Sequence, residues 1–107
     1  MLADCEKAIK FTLPAVRIAV ASALVREHKF RQADAALALG VAQAQVSKYL
    51  HGRYSARVRR LYIGVERSGI HKRIVRLALS GKGTAVISKR IEEAASSARL
   101  VGMAMGN

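Results

Sequence analysis

Tryptophan is absent, cysteine and proline occur once each, and aromatic residues make up 5% of the 107 residues. A lone cysteine excludes an intramolecular disulfide and a cysteine-rich zinc site, so an intracellular, reducing location is expected. Cys5 reads as a small buried residue rather than a nucleophile. Acidic residues are also scarce: seven Asp and Glu stand against nineteen Lys and Arg, leaving a net charge of +12 and a pI near 11.0. Thermal adaptation enriches Glu together with Lys and Arg, so it does not explain this balance, and a polyanion is the natural partner. The carboxylates are scattered; the one adjacent pair, Glu92 and Glu93, falls on different sides of a helix. With no Ser/His/Asp, Cys/His or metal-ligand set, neither an enzyme nor a bound metal or cofactor is expected. His28 and His71 read as surface histidines near helix ends. The uncharged apolar run at 18–25 is too short to cross a bilayer, and Asp4 and Glu6 argue against a secretory signal, so a cytoplasmic protein is expected.

Hydrophobic residues make up 51% of the chain, enough for a compact core at a length typical of one domain. Their spacing predicts an all-α fold. Residues 1–11 read as a short irregular or helical arm. Thr12 is placed as the cap of a helix over 13–28, with Pro14 in its first turn and Val16, Val20 and Leu24 on its inner face. Ile18 and Val25 then give it a second apolar side, suited to a neighbouring subunit. Phe30 plugs the core beyond this helix. Ser55 is positioned to cap a helix over 56–67 with Val58, Leu61, Tyr62 and Val65 inward. Ile70, Ile74, Leu77 and Ala78 line another helix ending near Ser80. Gly81-Lys82-Gly83 is a hinge, since the spacing of a phosphate-binding loop is missing. From Thr84, read as a cap, the residues Ile87, Ile91, Ala94, Ala98, Val101 and Met105 recur at intervals of four and three. This heptad seam is expected to form a homodimer, the alternative being packing on its own domain. Met103 and Met105 read as gap fillers. The expected organisation is a domain over 1–80 and a dimerisation helix over 84–107.

The most informative stretch is 32–52, QADAALALGVAQAQVSKYLHG. It reads as two short helices, 32–39 and 42–50, with Gly40 supplying a left-handed turn and Val41 dropping into the core. Ala35, Ala36 and Leu39 share one face of the first helix; Val46, Tyr49 and Leu50 share one face of the second. Ala44, Lys48 and His51 point away from Val46, with Gln45 and Ser47 on the flanks and Gln43 at the leading end. Glutamine suits adenine, lysine suits guanine or phosphate, and an alanine methyl suits the thymine methyl. Between Lys48 and Arg76 the chain carries nine basic residues, Arg53, Arg57, Arg59 and Arg60 among them, against Glu66 alone. Such a run following directly on a reading helix is suited to clamping phosphates, and Arg31 is placed to reach one near the first helix.

At these residues the chain resembles the helix-turn-helix of lambda-repressor-like regulators, and in particular the short archaeal predicted transcriptional regulators of that superfamily. The likeness rests on Cys5-Glu6, Leu13-Pro14-Ala15-Val16-Arg17 and Val46-Ser47-Lys48-Tyr49-Leu50, and covers about 5–52. It implies that Gln32 touches phosphate or braces Gln43, and that Gln43, Ala44, Ser47 and Lys48 face bases or backbone. The cysteine-rich tails carried by some of those regulators have no counterpart here. The expectation is a sequence-specific, homodimeric regulator bound to double-stranded DNA and associated with the nucleoid. The alternative is an architectural, chromatin-like protein that coats DNA by charge alone. Few aromatics and no RNP-like strand pattern make RNA the weaker candidate.

Overall fold

A computed structural model describes residues 2–106, with side chains described for 7–106; Cys5 and Glu6 lie outside the described side chains. Seven α-helices and one π-helical turn follow in order, and no strand occurs among the described residues. They are α1 (Leu2–Ser22), the π turn (Ala23–Glu27), α2 (Gln32–Leu39), α3 (Gln43–Leu50), α4 (Ala56–Ser68), α5 (Lys72–Leu79), α6 (Thr84–Ala95) and α7 (Ala98–Met105).

α1 is the axis of the molecule. Helices α3, α4, α6 and α7 all pack on it, and Ala15, Val16, Ile18, Ala19, Val20 and Leu24 are buried along its length and into the π turn. The alanines let neighbouring helices approach closely, while the branched side chains fill the space between them. This packing corrects the expected start of the helix. From Leu2 onward the arm takes the helical one of its two expected forms, but it is continuous with the rest rather than separate, and Pro14 sits inside α1, where its missing N–H leaves the Lys10 carbonyl without its intrahelical donor. Thr12 is not a cap. It is fully buried, and its hydroxyl donates to the Ala95 carbonyl at 2.8 Å, tying α1 to the end of α6. Ile18, expected to face another subunit, is in the protein's own core. The segment Lys7–Glu27 has the length and mean hydropathy (1.6) of a membrane span, but 61% of it is buried inside the fold, as befits a central core helix.

The C-terminal seam is also internal. Ser96 and Ser97 interrupt it, and the Ser97 hydroxyl accepts from the Leu100 amide to cap a separate helix. Ile87, Ile91, Ala95, Leu100, Val101 and Ala104 are buried, with α6 and α7 both lying on α1. Burying Ile87, Ile91 and Leu100 is worth about 1.5–3 kcal/mol each, which would be forfeited if the seam opened towards a second copy. Of the residues expected in a dimer contact, Ala94 is half-buried and only Ala98 and Met105 are exposed. Met103 and Met105 are exposed rather than filling gaps. The core is continuous from α1 through α7, so α6 and α7 are packed into the same body as the helices before them.

Thr84 begins α6 but its hydroxyl does not cap that helix; it donates to the Leu37 carbonyl near the end of α2, at 2.6 Å. His71 departs from expectation too: it is 6% exposed, and its Nδ1 is buried without a hydrogen-bond partner. Burial pushes its imidazole below the ordinary value of 6.5. The unfolded chain therefore binds the His71 proton at a higher pH than the folded one, so stability falls as pH drops through that value. Thermal melts from about pH 7 to about pH 5 are expected to show a declining midpoint, and His71→Leu is expected to flatten that decline. Gly40 has φ +69°, and a Cβ there would stand 2.8 Å from Thr84 Cγ2. Gly40→Ala is expected to cost about 1–2 kcal/mol in denaturant unfolding. Thr84→Ser, which keeps the hydroxyl and removes that methyl, is expected to recover part of the loss.

Candidate nucleic-acid interface

The α2–turn–α3 unit is closed at both ends by the same local device. At the end of α2 the Gly40 amide donates to Leu37 and the Val41 amide to Ala36; at the end of α3 the Gly52 amide donates to Tyr49 and the Arg53 amide to Lys48. Each glycine is left-handed, at φ +69° and +70°, so each helix stops in a Schellman turn with its last carbonyls satisfied. Ala35, Ala36 and Leu39 of α2 and Val46 and Tyr49 of α3 are buried, as expected. Val41 and Leu50 are half-buried against the core.

Buried Val46 and Tyr49 fix which side of α3 faces solvent. Gln43, Ala44, Lys48 and His51 are exposed and Ser47 half-exposed. Ala42 precedes α3 and offers no side-chain acceptor, so the first amides of the helix are open to an anion such as a phosphate oxygen. His51 Nδ1 lies 2.7 Å from the Ser47 carbonyl. A carbonyl only accepts, so Nδ1 carries the proton and Nε2 is turned away from the helix. Gln45 is different: it is half-buried and lines a groove between α3 and α1 together with Lys10, Pro14 and Arg17.

The expected basic residues divide into groups. Arg53 is exposed just past α3, and Arg59 reaches back to it, with its guanidinium 5.5 Å from the Tyr54 ring centroid and close to Gly52. Tyr54 in turn meets Tyr62 edge to face. Arg57 turns the other way. Its guanidinium lies 4.3 Å over the Phe11 ring and donates to the Ala104 carbonyl at 2.9 Å, joining α1, α4 and α7. Arg60 borders the α4–α7 surface beside Met103. Arg31 pairs with Asp34 at 3.2 Å, but its side chain is 86% exposed; such pairs are worth little and yield readily to a phosphate. Gln32 is half-buried at the start of α2.

Three basic residues near α3 escaped the sequence reading. Lys10 and Arg17 come alongside through α1. Arg26, in the π turn, donates to the Leu50 carbonyl at 2.7 Å and secures the end of α3. Periodicity places all three on the solvent side of a helix but does not show which other helix lies next to it. Among the described side chains, those that surround α3 thus combine amides, a hydroxyl, an imidazole and cations, a set suited to hydrogen bonding with polyanions and base edges. Among the described residues no group of three or more His, Cys, Asp or Glu is placed to hold a metal ion. No protein-family model, curated protein or solved structure matches the chain.

Arg26→Ala is expected to speed amide hydrogen exchange at Leu50–Arg53 and to lower stability by about 1 kcal/mol, the scale of one exposed hydrogen bond from a charged donor.

Proposed function

We propose that the chain is a sequence-specific DNA-binding regulator of the helix-turn-helix kind, similar to the lambda-repressor-like regulators, with α3 as its reading helix in the major groove. The observation that carries the proposal is the exposed face of α3: Gln43, Ala44, Ser47 and Lys48 project from a helix whose opposite side is anchored by Val46 and Tyr49. Lys10, Arg17, Arg31, Arg53 and Arg59 flank that face as phosphate contacts, while Arg57 serves the internal junction. The reading retains a two-fold homodimer on an inverted repeat, with half-sites about one helical turn or a multiple apart. Its contact is made by residues still exposed, of which Leu37, at 72%, is the most exposed large apolar side chain among the described residues, because the α6–α7 seam is occupied. Nucleoid association follows from the same partner.

An architectural protein is the second reading, favoured by the cations that lie away from α3. Lys72, Arg73, Arg76 and Arg90 line a separate cleft between α5 and α6. The two readings part at the bases. In fluorescence anisotropy on sequences selected from genomic fragments, Gln43→Ala or Lys48→Ala is expected to weaken preferred-site binding by about 1–3 kcal/mol if those side chains read bases, with background binding retained for Gln43→Ala. Equal loss on all sequences favours coating, and selected fragments without a shared motif defeat specific reading. Arg53→Gln and Arg59→Gln are each expected to reduce the slope of log affinity against log salt by about 0.9, whereas Arg57→Gln leaves that slope unchanged. Solution mass with and without the selected site tests the dimer.

A further inference from the structure

We infer that the cleft between the π turn and α5 binds a small zwitterion, an α-amino acid with an apolar side chain. The cleft encloses about 490 Å³, within the range of small-ligand sites. Ala23, Val75 and Leu79 give it an apolar wall, and Leu79 is 43% exposed.

Its charges are the decisive feature. Glu27 of the π turn and Glu66 of α4 border one cleft with Lys72 and Arg76 of α5. Lys72 and Arg76 are four residues apart and share one face of α5. Yet the ion pairs among the described residues are Arg31–Asp34 and Arg90–Glu93, so the four charged side chains that line the cleft do not pair with one another. A molecule carrying an ammonium and a carboxylate a short distance apart satisfies both sides at once. A cation alone or an anion alone satisfies one and is repelled by the other.

One further feature lies at the same place. His71, on the cleft wall, is buried with an unpartnered Nδ1, an arrangement that costs stability. Arg26 of the π turn holds the Leu50 carbonyl, so the turn that borders the cleft also touches the end of α3.

The test is a nitrogen-15 NMR titration of the full chain, without DNA, with L-leucine, L-valine and L-methionine at about millimolar concentrations, the usual range for weak sites. Isopentylamine and 4-methylpentanoate, each carrying one of the two charges, are the controls. Saturable shifts are expected at amides in 23–28 and 66–79, extending to Leu50 and His51, with binding at least roughly tenfold weaker for the single-charge controls. Glu27→Gln and Arg76→Gln, both at exposed positions, are expected to abolish the shifts while the rest of the spectrum stays native. The inference is overturned if none of the three amino acids gives saturable shifts, if either control binds equally well, or if both variants bind as the parent does. Because DNA is absent, these outcomes are separate from the reading of α3.

Discussion

Burial of the first helix is the constraint on which the rest of the structure depends. Side chains from Ala15 to Leu24 are shielded around most of the helix circumference, so a single partner helix cannot cover them. Four helices must be brought to it, and the chain supplies α3, α4, α6 and α7. Burial on this scale, at about 25 cal/mol for each square ångström of apolar surface, outweighs the lost backbone bond at Pro14. It also determines the use of the C-terminal helices: α6 and α7 close the side of α1 that would otherwise stay open to water. Thr12 records the same requirement in polar form, since a buried hydroxyl needs a partner and finds it in the Ala95 carbonyl.

Presentation of α3 is a by-product of that closure. Val46 and Tyr49 attach it to the core, Arg26 secures its last turn, and Thr84 secures the preceding helix from behind. These attachments all lie on the inner side or at the ends, so the outer side is held in place without being covered. Electrostatics favours the same division. The nineteen basic side chains outnumber acidic ones by twelve, and the two ion pairs among the described residues are both between residues three apart on an exposed surface. Most of the positive charge is therefore not neutralised within the fold, and its self-repulsion is of the kind that a bound polyanion would relieve. Arg57 shows that not every cation serves that end, because its guanidinium lies over Phe11 and is bound to Ala104.

What the sequence made legible is what local chemistry decides. The bounds of α2 and α3 follow from Gly40 and Gly52, whose left-handed turns end the helices without outside help. Ser55 caps α4 as expected because its hydroxyl meets the Val58 amide three residues on. Thr12, Thr84 and Ser97 show where this reasoning stops. All three are hydroxyl residues at plausible caps, but Thr12 and Thr84 bond to carbonyls 83 and 47 residues away, and only Ser97 caps its own helix. The apolar seam of α6 and α7 was visible, but periodicity identifies a buried stripe without identifying what buries it. His71 was misplaced for a related reason: a polar residue next to a glycine turn reads as surface, and only the packing of α5 against the turn after α1 encloses it. On the outer side of α3, Gln43, Ala44, Lys48 and His51 are exposed as projection placed them, while Gln45 is drawn towards α1 by a neighbour the projection does not contain.

The π turn joins these threads. A regular helix through 23–27 would carry each successive side chain around by the same angle, and the widened turn changes that progression between the buried Leu24 and the exposed Arg26 and Glu27. The segment then contributes Leu24 to the core, Arg26 to the end of α3, and Glu27 to the cleft beside α5. Three consecutive demands within four residues are hard to meet with one helical repeat, which gives a physical reason for the irregular backbone there and for the left-handed Lys29 that follows. It also means that the attachment of α3 and the shape of the cleft cannot vary independently: a change that regularised this turn would alter both.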